Sequence, residues 1–383
     1  MKLTCVHGQP SWRLRNRTVD AWLTRTGGQL APATFRVGGH SVQPFSMAPW
    51  AEEKFPAGIP PLLRALRGDF FCCPFGNNDE AWRGERHPPH GETANRDWRL
   101  VSSGRTGDAV VLHTRLALRV RPGRVDKRLM LRDGHAAVYC ENVLSGLRGP
   151  VAIGTHPCLR FPEKPAAGRI STGGFRFGQV LPVPFERPEL GGYSSLKTGA
   201  RFHSLRRVPL AAGGLADLGA FPARPGFEDL VMLVGDGRGG FAWSAVTYPE
   251  SGYVFFSLKD PRVLRHTVLW FSNGGRHYPP WNGRHRRVVG LEEVTAYFHL
   301  GLAPSARPNP LSRAGVPTCL QLQPDRPLRV AHIFAVAAIP RGFDEVKKIS
   351  PARDGVTLTA RSGREVFAPL DPGFLRPPVQ SSR

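Results

Sequence analysis

Four short polar clusters carry the side chains of this chain that could move protons. In one, Pro279-Pro280-Trp281-Asn282-Gly283-Arg284 leads into Val288-Val289-Gly290-Leu291-Glu292-Glu293-Val294-Thr295-Ala296, where two carboxylates interrupt an apolar run. If 288–296 is a strand, alternation sends Glu292 and Glu293 to opposite faces, and at least one looks into the interior or a cavity. A carboxyl group so placed needs a partner or keeps its proton to higher pH, which makes it a candidate general base. The competing reading is one solvated Glu and one structural ion pair. In the second cluster, Gly154-Thr155-His156-Pro157-Cys158-Leu159-Arg160-Phe161, a single imidazole follows the apolar Val151-Ala152-Ile153 and precedes a Pro that ends the ladder. His156 is therefore either a core histidine or a functional group at a strand end.

The third cluster is His87-Pro88-Pro89-His90-Gly91-Glu92. Its two prolines exclude a helix, so His87 and His90 cannot share a helical face. A metal site would need a third ligand at fixed spacing, and none is evident, so no metal is expected here. His90, ahead of a Gly in a loop, suits hydroxyl binding or proton handling, or else is satisfied by backbone. The fourth cluster, Arg67-Gly68-Asp69-Phe70-Phe71-Cys72-Cys73-Pro74-Phe75-Gly76, reads as the mouth of a buried strand, with Arg67 either functional or an exposed strand-end residue. No Gly-x-Ser-x-Gly elbow, P-loop or dinucleotide fingerprint is present. Imidazole and carboxylate remain, with Trp98, Trp270, Trp281 and Phe71 nearby in sequence. That set suits proton transfer on a sugar, whose apolar faces stack on aromatics and whose hydroxyls need donors and acceptors.

The elements that must position these groups read as strands. In Val110–Val120, Leu112, Thr114, Leu116, Leu118 and Val120 share one face and His113, Arg115 and Arg119 the other, as in a half-buried antiparallel strand. Arg121-Pro122-Gly123 and Asp133-Gly134 are turns, and Arg128–Leu131 and Ala136–Val143 complete a meander. Further strands are expected over 241–246, 252–258, 263–271, 319–322, 329–338 and 355–360. No long window keeps a helical apolar stripe free of Gly or Pro. The fold class is all-β, a sandwich or barrel of antiparallel strands with few short helices. Pro304–Pro317 is the best linker candidate. The division expected is a domain over 1–302 and a C-terminal β extension over 303–383 packed on the same sandwich, because so few residues make a thin independent core.

Composition narrows the classes further. The 383 residues include 43 Gly and 37 Pro, together short of the roughly 25–30% that marks low complexity. With 52 basic against 30 acidic residues the formal charge is +22. The arginines are scattered, the densest patch being Arg284-His285-Arg286-Arg287, and no recognition motif accompanies them. Nucleic acid is therefore not expected as a partner, and a solvated surface or attraction of anionic ligands accounts for the charge. Arg96, Arg160 and Arg284 lie beside the motifs as anion holders. No secretory pattern is seen over Met1–Pro10, and Ala331–Pro340 is about half the length that spans a bilayer. The six cysteines form no Cys-x-x-Cys pair, so reduced thiols in a cytoplasmic protein are expected.

The order of motifs resembles the aldose 1-epimerase (galactose mutarotase-like) superfamily over roughly residues 10 to 302. The matching elements are Arg-Gly before Pro-Phe-Gly, His-Gly followed by Trp, Gly-Thr-His-Pro, and Gly-Leu-Glu in a late strand. The chain looks closer to the divergent bacterial branches and hexose-6-phosphate epimerases than to the best-known galactose mutarotases. The resemblance implies a β-supersandwich with an open groove and cofactor-free interconversion of α and β anomers of a small carbohydrate, neutral or anionic. It implies Glu292 as base on the C1 hydroxyl, His156 as acid on the ring oxygen, and His90 and Arg67 as sugar-binding groups. Asp260 is the candidate for the family Asp, and Trp281 and Arg160 are further substrate-binding candidates. Cys158-Leu159 stands where the family has Tyr-Phe, Glu92 where it often has Gly or Phe, and Glu293 in place of a common Pro. The alternative these departures allow is a carbohydrate-binding sandwich without turnover.

Overall fold

The computed structural model describes residues 1–55 and 58–376. Two large antiparallel sheets dominate them. The nine-stranded sheet runs, in spatial order, Ala220–Phe221, Gly168–Thr172, Ala242–Tyr248, Tyr253–Lys259, Leu328–Ala338, Ala137–Ser145, Gly123–Arg132, Ala109–Leu118 and Arg99–Thr106. The eight-stranded sheet runs Arg201–Phe202, Phe177–Val180, Phe227–Val234, His266–Asn273, Val288–Thr295, Ile153–Thr155 and Phe71–Cys72, with Cys158–Arg160 also pairing with Val288–Thr295. Their inner faces meet in one apolar core that includes Leu112, Leu116, Val125 and Leu129 from the first sheet and Val231, Leu233, Leu269 and Leu291 from the second. Period-two alternation explains the split, since each strand gives every other residue to this core.

The alternate residues of the eight-stranded sheet face the other way. Leu230, Met232, Val268, Trp270 and Val294 form a second apolar cluster with Trp50, Leu62, Phe70 and Trp281, which come from loops and the short helix Pro61–Ala65 folded over that face. The outer face of the nine-stranded sheet packs through Tyr139, Val254, Phe256 and Ile333 under a small sheet of Val346–Ala352, Gly355–Ala360 and Glu365–Pro369. The meander over 109–145 has the expected faces: Leu112, Thr114, Leu116 and Leu118 are buried, and Arg115 is exposed. His113 shares the other face with Arg115, as read from sequence, and is covered there, with Nε2 2.7 Å from Asp126 Oδ1.

Strands from both sides of 302/303 share one sheet. Leu328–Ala338 lies in the middle of the nine-stranded sheet, with Val138 paired to Phe334 on one side and Phe255 to Val336 on the other. This strand therefore belongs to the sandwich itself, whereas the small sheet over 346–369 packs on its outer face as the expected extension. Residues 304–317 are not a free linker. Leu302–Ala306 and Pro310–Arg313 are short helices, and the Asn309 side chain caps the second by accepting from the Leu311 and Ser312 amides. Asn-Pro reads as a loop signal but here forms N-cap and N1, and Leu311 and Val316 are buried behind it. Among the described residues no helix is long and apolar enough to cross a membrane.

Candidate functional site

The register of the eight-stranded sheet creates the site. Thr155 pairs with Glu293 and Cys158 with Gly290, so His156 falls directly opposite Glu292 and both side chains share one face. Pro157 cannot donate to the ladder, and its carbonyl accepts from the Leu291 amide. The His156 amide is held by Phe70 O and by Asp69 Oδ1, each at 3.0 Å. Glu292 projects from the same face as Gly290, where a Cβ would come within 2.5 Å of Glu292 Oε1. The Gly-x-Glu spacing therefore clears room for the carboxyl group. His156 Nε2 and Glu292 Oε1 are 3.2 Å apart, and Glu292 Oε2 has no hydrogen-bond partner among the described residues.

The pair opens into a cavity of about 650 Å³. His156 stacks on Phe70 at 4.6 Å and meets the edges of His90 at 5.0 Å and Trp270 at 5.8 Å. Its Nδ1 lies 3.5 Å from Cys158 Sγ, a contact that orients the ring and leaves Nε2 for Glu292. Burial drives the two groups apart in pKa. Glu292 is pushed well above the usual carboxylate range, and His156 well below the usual imidazole range by burial and the neighbouring His90. Burial thus favours the neutral form of each group. Burial also lowers His90 and His299 to about 3 each. Both present Nδ1 atoms without a protein partner.

A second polar group forms one wall. Arg276 lies 4.6 Å above the Trp281 ring and donates to Glu186 Oε1 at 2.6 Å, and the Tyr278 hydroxyl donates to Glu186 Oε2. Behind Trp270, Glu228 accepts from the Trp270 indole N–H and from Ser272 Oγ, both at 2.9 Å. His285 stacks parallel to Trp270 with Nδ1 2.7 Å from Ser272 Oγ. Burial pushes Glu228 up to about 7, against the pull of Arg276 and its hydrogen-bond donors. These contacts fix the aromatic wall against which a ligand would lie.

The residues read from sequence divide sharply. His90, His156, Glu292, Trp270 and Trp281 line the cavity, whereas Arg67, Asp260, Arg160, Trp98 and Phe71 do not. Arg67 is fully buried and its guanidinium donates to the carbonyls of Ala65, Val6 and His7. It anchors the N-terminal strand region rather than a sugar. Asp260 accepts from the Arg262 amide and guanidinium and closes its own turn. Arg160 is exposed outside the cavity, while Arg96 pairs with Glu92 and Arg284 with Glu53. Glu92 itself accepts from the Arg119 and Val120 amides. Glu293 faces the inner core and pairs with Lys259. The residues that sequence reasoning missed are His299, Glu186, Arg276, Tyr278 and Glu228. One signal was available: Glu228-Asp229 inside apolar Phe227–Val234 repeats the pattern of Glu292-Glu293.

Arg67 gives a direct test of that division. Arg67→Lys loses the fork that serves three carbonyls, and urea unfolding should show a loss of about 2–4 kcal/mol. Sugar affinity, measured by titration, should be unchanged, and a selective loss of affinity in a fully stable variant would return Arg67 to the ligand.

No protein-family model and no curated protein matches this chain. Solved structures do. A proposed aldose 1-epimerase from Escherichia coli K12 aligns at TM-score 0.57 and 16% identity, over 87% of this chain and 100% of the other. A galactose mutarotase-like protein from Clostridium acetobutylicum aligns at 0.55 and 10%, over 88% and 98%. A galactose mutarotase related enzyme from Lactobacillus acidophilus aligns at 0.52 and 11%, over 86% and 99%. With its antiparallel sheets stacked as described and its cavity on the outer face of one of them, the chain has the galactose mutarotase-like fold.

Proposed function

We propose that this protein is an aldose 1-epimerase-like isomerase that interconverts the α and β anomers of a reducing sugar through Glu292 and His156. The observation that carries this reading is the cross-strand pair itself, 3.2 Å apart at the base of a cavity lined by tryptophans. Ring opening removes the proton of the C1 hydroxyl, delivers one to the ring oxygen and breaks the bond between C1 and that oxygen. Burial favours a protonated Glu292 and a neutral His156, so in this reading His156 Nε2 accepts from the hydroxyl while Glu292 donates to the ring oxygen. After rotation about C1–C2 the same two groups exchange roles and the ring closes. The resemblance gives the opposite starting assignment, Glu292 as base and His156 as acid. Every complete turnover runs through both, and the single proton is conserved. Trp270 and Trp281 offer stacking surfaces to the sugar's apolar face, and His90 and His299 offer ring nitrogens to its hydroxyls. The reaction needs no redox cofactor, and a cytoplasmic setting suits the unpaired thiols.

Saturation-transfer NMR on a panel of aldoses, sugar phosphates and uronates tests the reading and identifies the sugar. The active pair holds one proton, so activity falls at low pH when His156 gains a second and at high pH when Glu292 loses its own. Because burial lowers the first pKa and raises the second, the rate should stay flat through neutrality and decline on the alkaline side. Arg187, exposed at the cavity rim, would favour an anionic member of the panel. Failure of every sugar to exchange faster than in buffer removes the enzymatic reading. Tight binding without exchange leaves a carbohydrate-binding sandwich.

A further inference from the structure

On the opposite side of Val288–Thr295 from the cavity, between the two sheets, lies a set of polar side chains that the proposed reaction does not use. Cys140 and His332 are direct partners in the register of Ala137–Ser145 and Leu328–Ala338. Asp69, just ahead of Phe71–Cys72 in the facing sheet, reaches toward them. The carboxylate, thiol and imidazole ligand atoms lie within 4.8 Å of one another, and His332 Nε2 is 3.8 Å from Asp69 Oδ2. All three residues are buried, and His332, at 1% exposure, has no hydrogen-bond partner among the described residues on either ring nitrogen. An imidazole buried without a partner forfeits its hydration with nothing in return, so such a group points to a ligand or an ordered water.

The neighbouring cations do not serve it. Lys127 donates to the Gly28 carbonyl at 2.8 Å and sits 5.4 Å above the Trp98 ring. Lys259, which pairs with His332 in the register of the other neighbouring strand, is committed to Glu293, Thr267 and the His266 carbonyl.

We propose that Asp69, Cys140 and His332 form a structural site for a divalent metal ion of the zinc(II) class, tying the two sheets together behind the cavity. Thiolate, imidazole and carboxylate are a zinc donor set, and bonds of about 2.0–2.3 Å in a tetrahedron place donor atoms roughly 3.5 Å apart. The observed 3.8 Å between imidazole and carboxylate needs only a small closure. The thiol of Cys140 gives its proton to solvent as the chain folds around the ion, and thiolate plus carboxylate balance its two charges. Asn142, two residues along the same strand face, has both amide atoms without a partner among the described residues. Its oxygen, or a water it holds, completes the fourth position. Asp69 uses its other oxygen to hold the His156 amide, so the ion also steadies the segment that carries His156.

The test is elemental analysis of the full-length chain purified without added metal or chelator. About one zinc per chain is expected, falling at least tenfold in Cys140→Ser and in His332→Gln and persisting in the control Cys158→Ser. Cobalt(II) exchanged into the unmodified protein should show a thiolate charge-transfer band in the near ultraviolet. Either variant failing to fold leaves those two measurements on the unmodified chain to decide. Less than a tenth of an equivalent of zinc, with no uptake on refolding in zinc and no cobalt band, overturns the site. A crystal structure of the zinc-treated protein with only water among the three side chains does the same.

Discussion

Glu292→Gln should slow anomer exchange by about 10²–10⁴-fold while leaving sugar binding in place. The amide has the size of the acid and can still meet a hydroxyl, but it can neither take nor give the proton that the ring requires. The same substitution should change stability in the opposite direction. Burial raises the pKa of Glu292 above its unfolded value, so the stability tied to its protonated form is complete below the unfolded pKa. That stability is lost as pH rises through the folded pKa. Glutamine never ionises and escapes the loss. Melting curves should therefore give a higher midpoint for the variant than for the parent at alkaline pH, with the two converging in acid. Activity and stability moving apart is the mark of a group placed for chemistry at a cost to the fold. A variant that loses both together would show Glu292 to be a packing residue.

Lys259→Met should lower the unfolding free energy by about 3–5 kcal/mol, because it leaves the Glu293 carboxylate buried without its counter-ion. Lys259 is 4% exposed and Glu293 0% at the side chain, and the pair bridges the nine-stranded and eight-stranded sheets. Thr267 donates to the same Glu293 oxygen at 2.8 Å, and the ammonium also serves the His266 carbonyl. Replacing both charges, as in Lys259→Met with Glu293→Leu, should recover most of the loss, since an apolar pair of similar volume avoids the desolvation of two ions. Urea unfolding of the two single variants and the double variant measures the coupling. Additive losses would mean that the two charges do not depend on each other.

The sequence made the fold class legible because its strands keep strict alternation and little else competes. It also separated Glu292 from Glu293, since a period of two admits one answer. The pairing of His156 with Glu292 could not be read the same way. Their registers are fixed by ladders between strands far apart in the chain, and no local pattern encodes that. Arg67 shows the complementary failure. Its residue type and motif suggest a sugar ligand, yet the N-terminal carbonyls of Val6 and His7 claim its guanidinium. Arg276, Glu186 and Tyr278 stand far apart in sequence or among residues of similar type, so only their convergence on one wall reveals them. Residues 304–317 read as a linker because Pro, Gly and Ser mark loops by composition, while the Asn309 cap that orders them depends on one side chain.

The placement of Leu328–Ala338 also sets the order in which this protein can mature during synthesis. Its neighbours on both sides, Tyr253–Lys259 and Ala137–Ser145, leave the ribosome long before it and present two unpaired hydrogen-bonding edges until it arrives. The nascent chain must therefore wait until Leu328–Ala338 has emerged before the sheet can close. During that interval its open edges are the part of the molecule most exposed to mispairing and most in need of protection by chaperones.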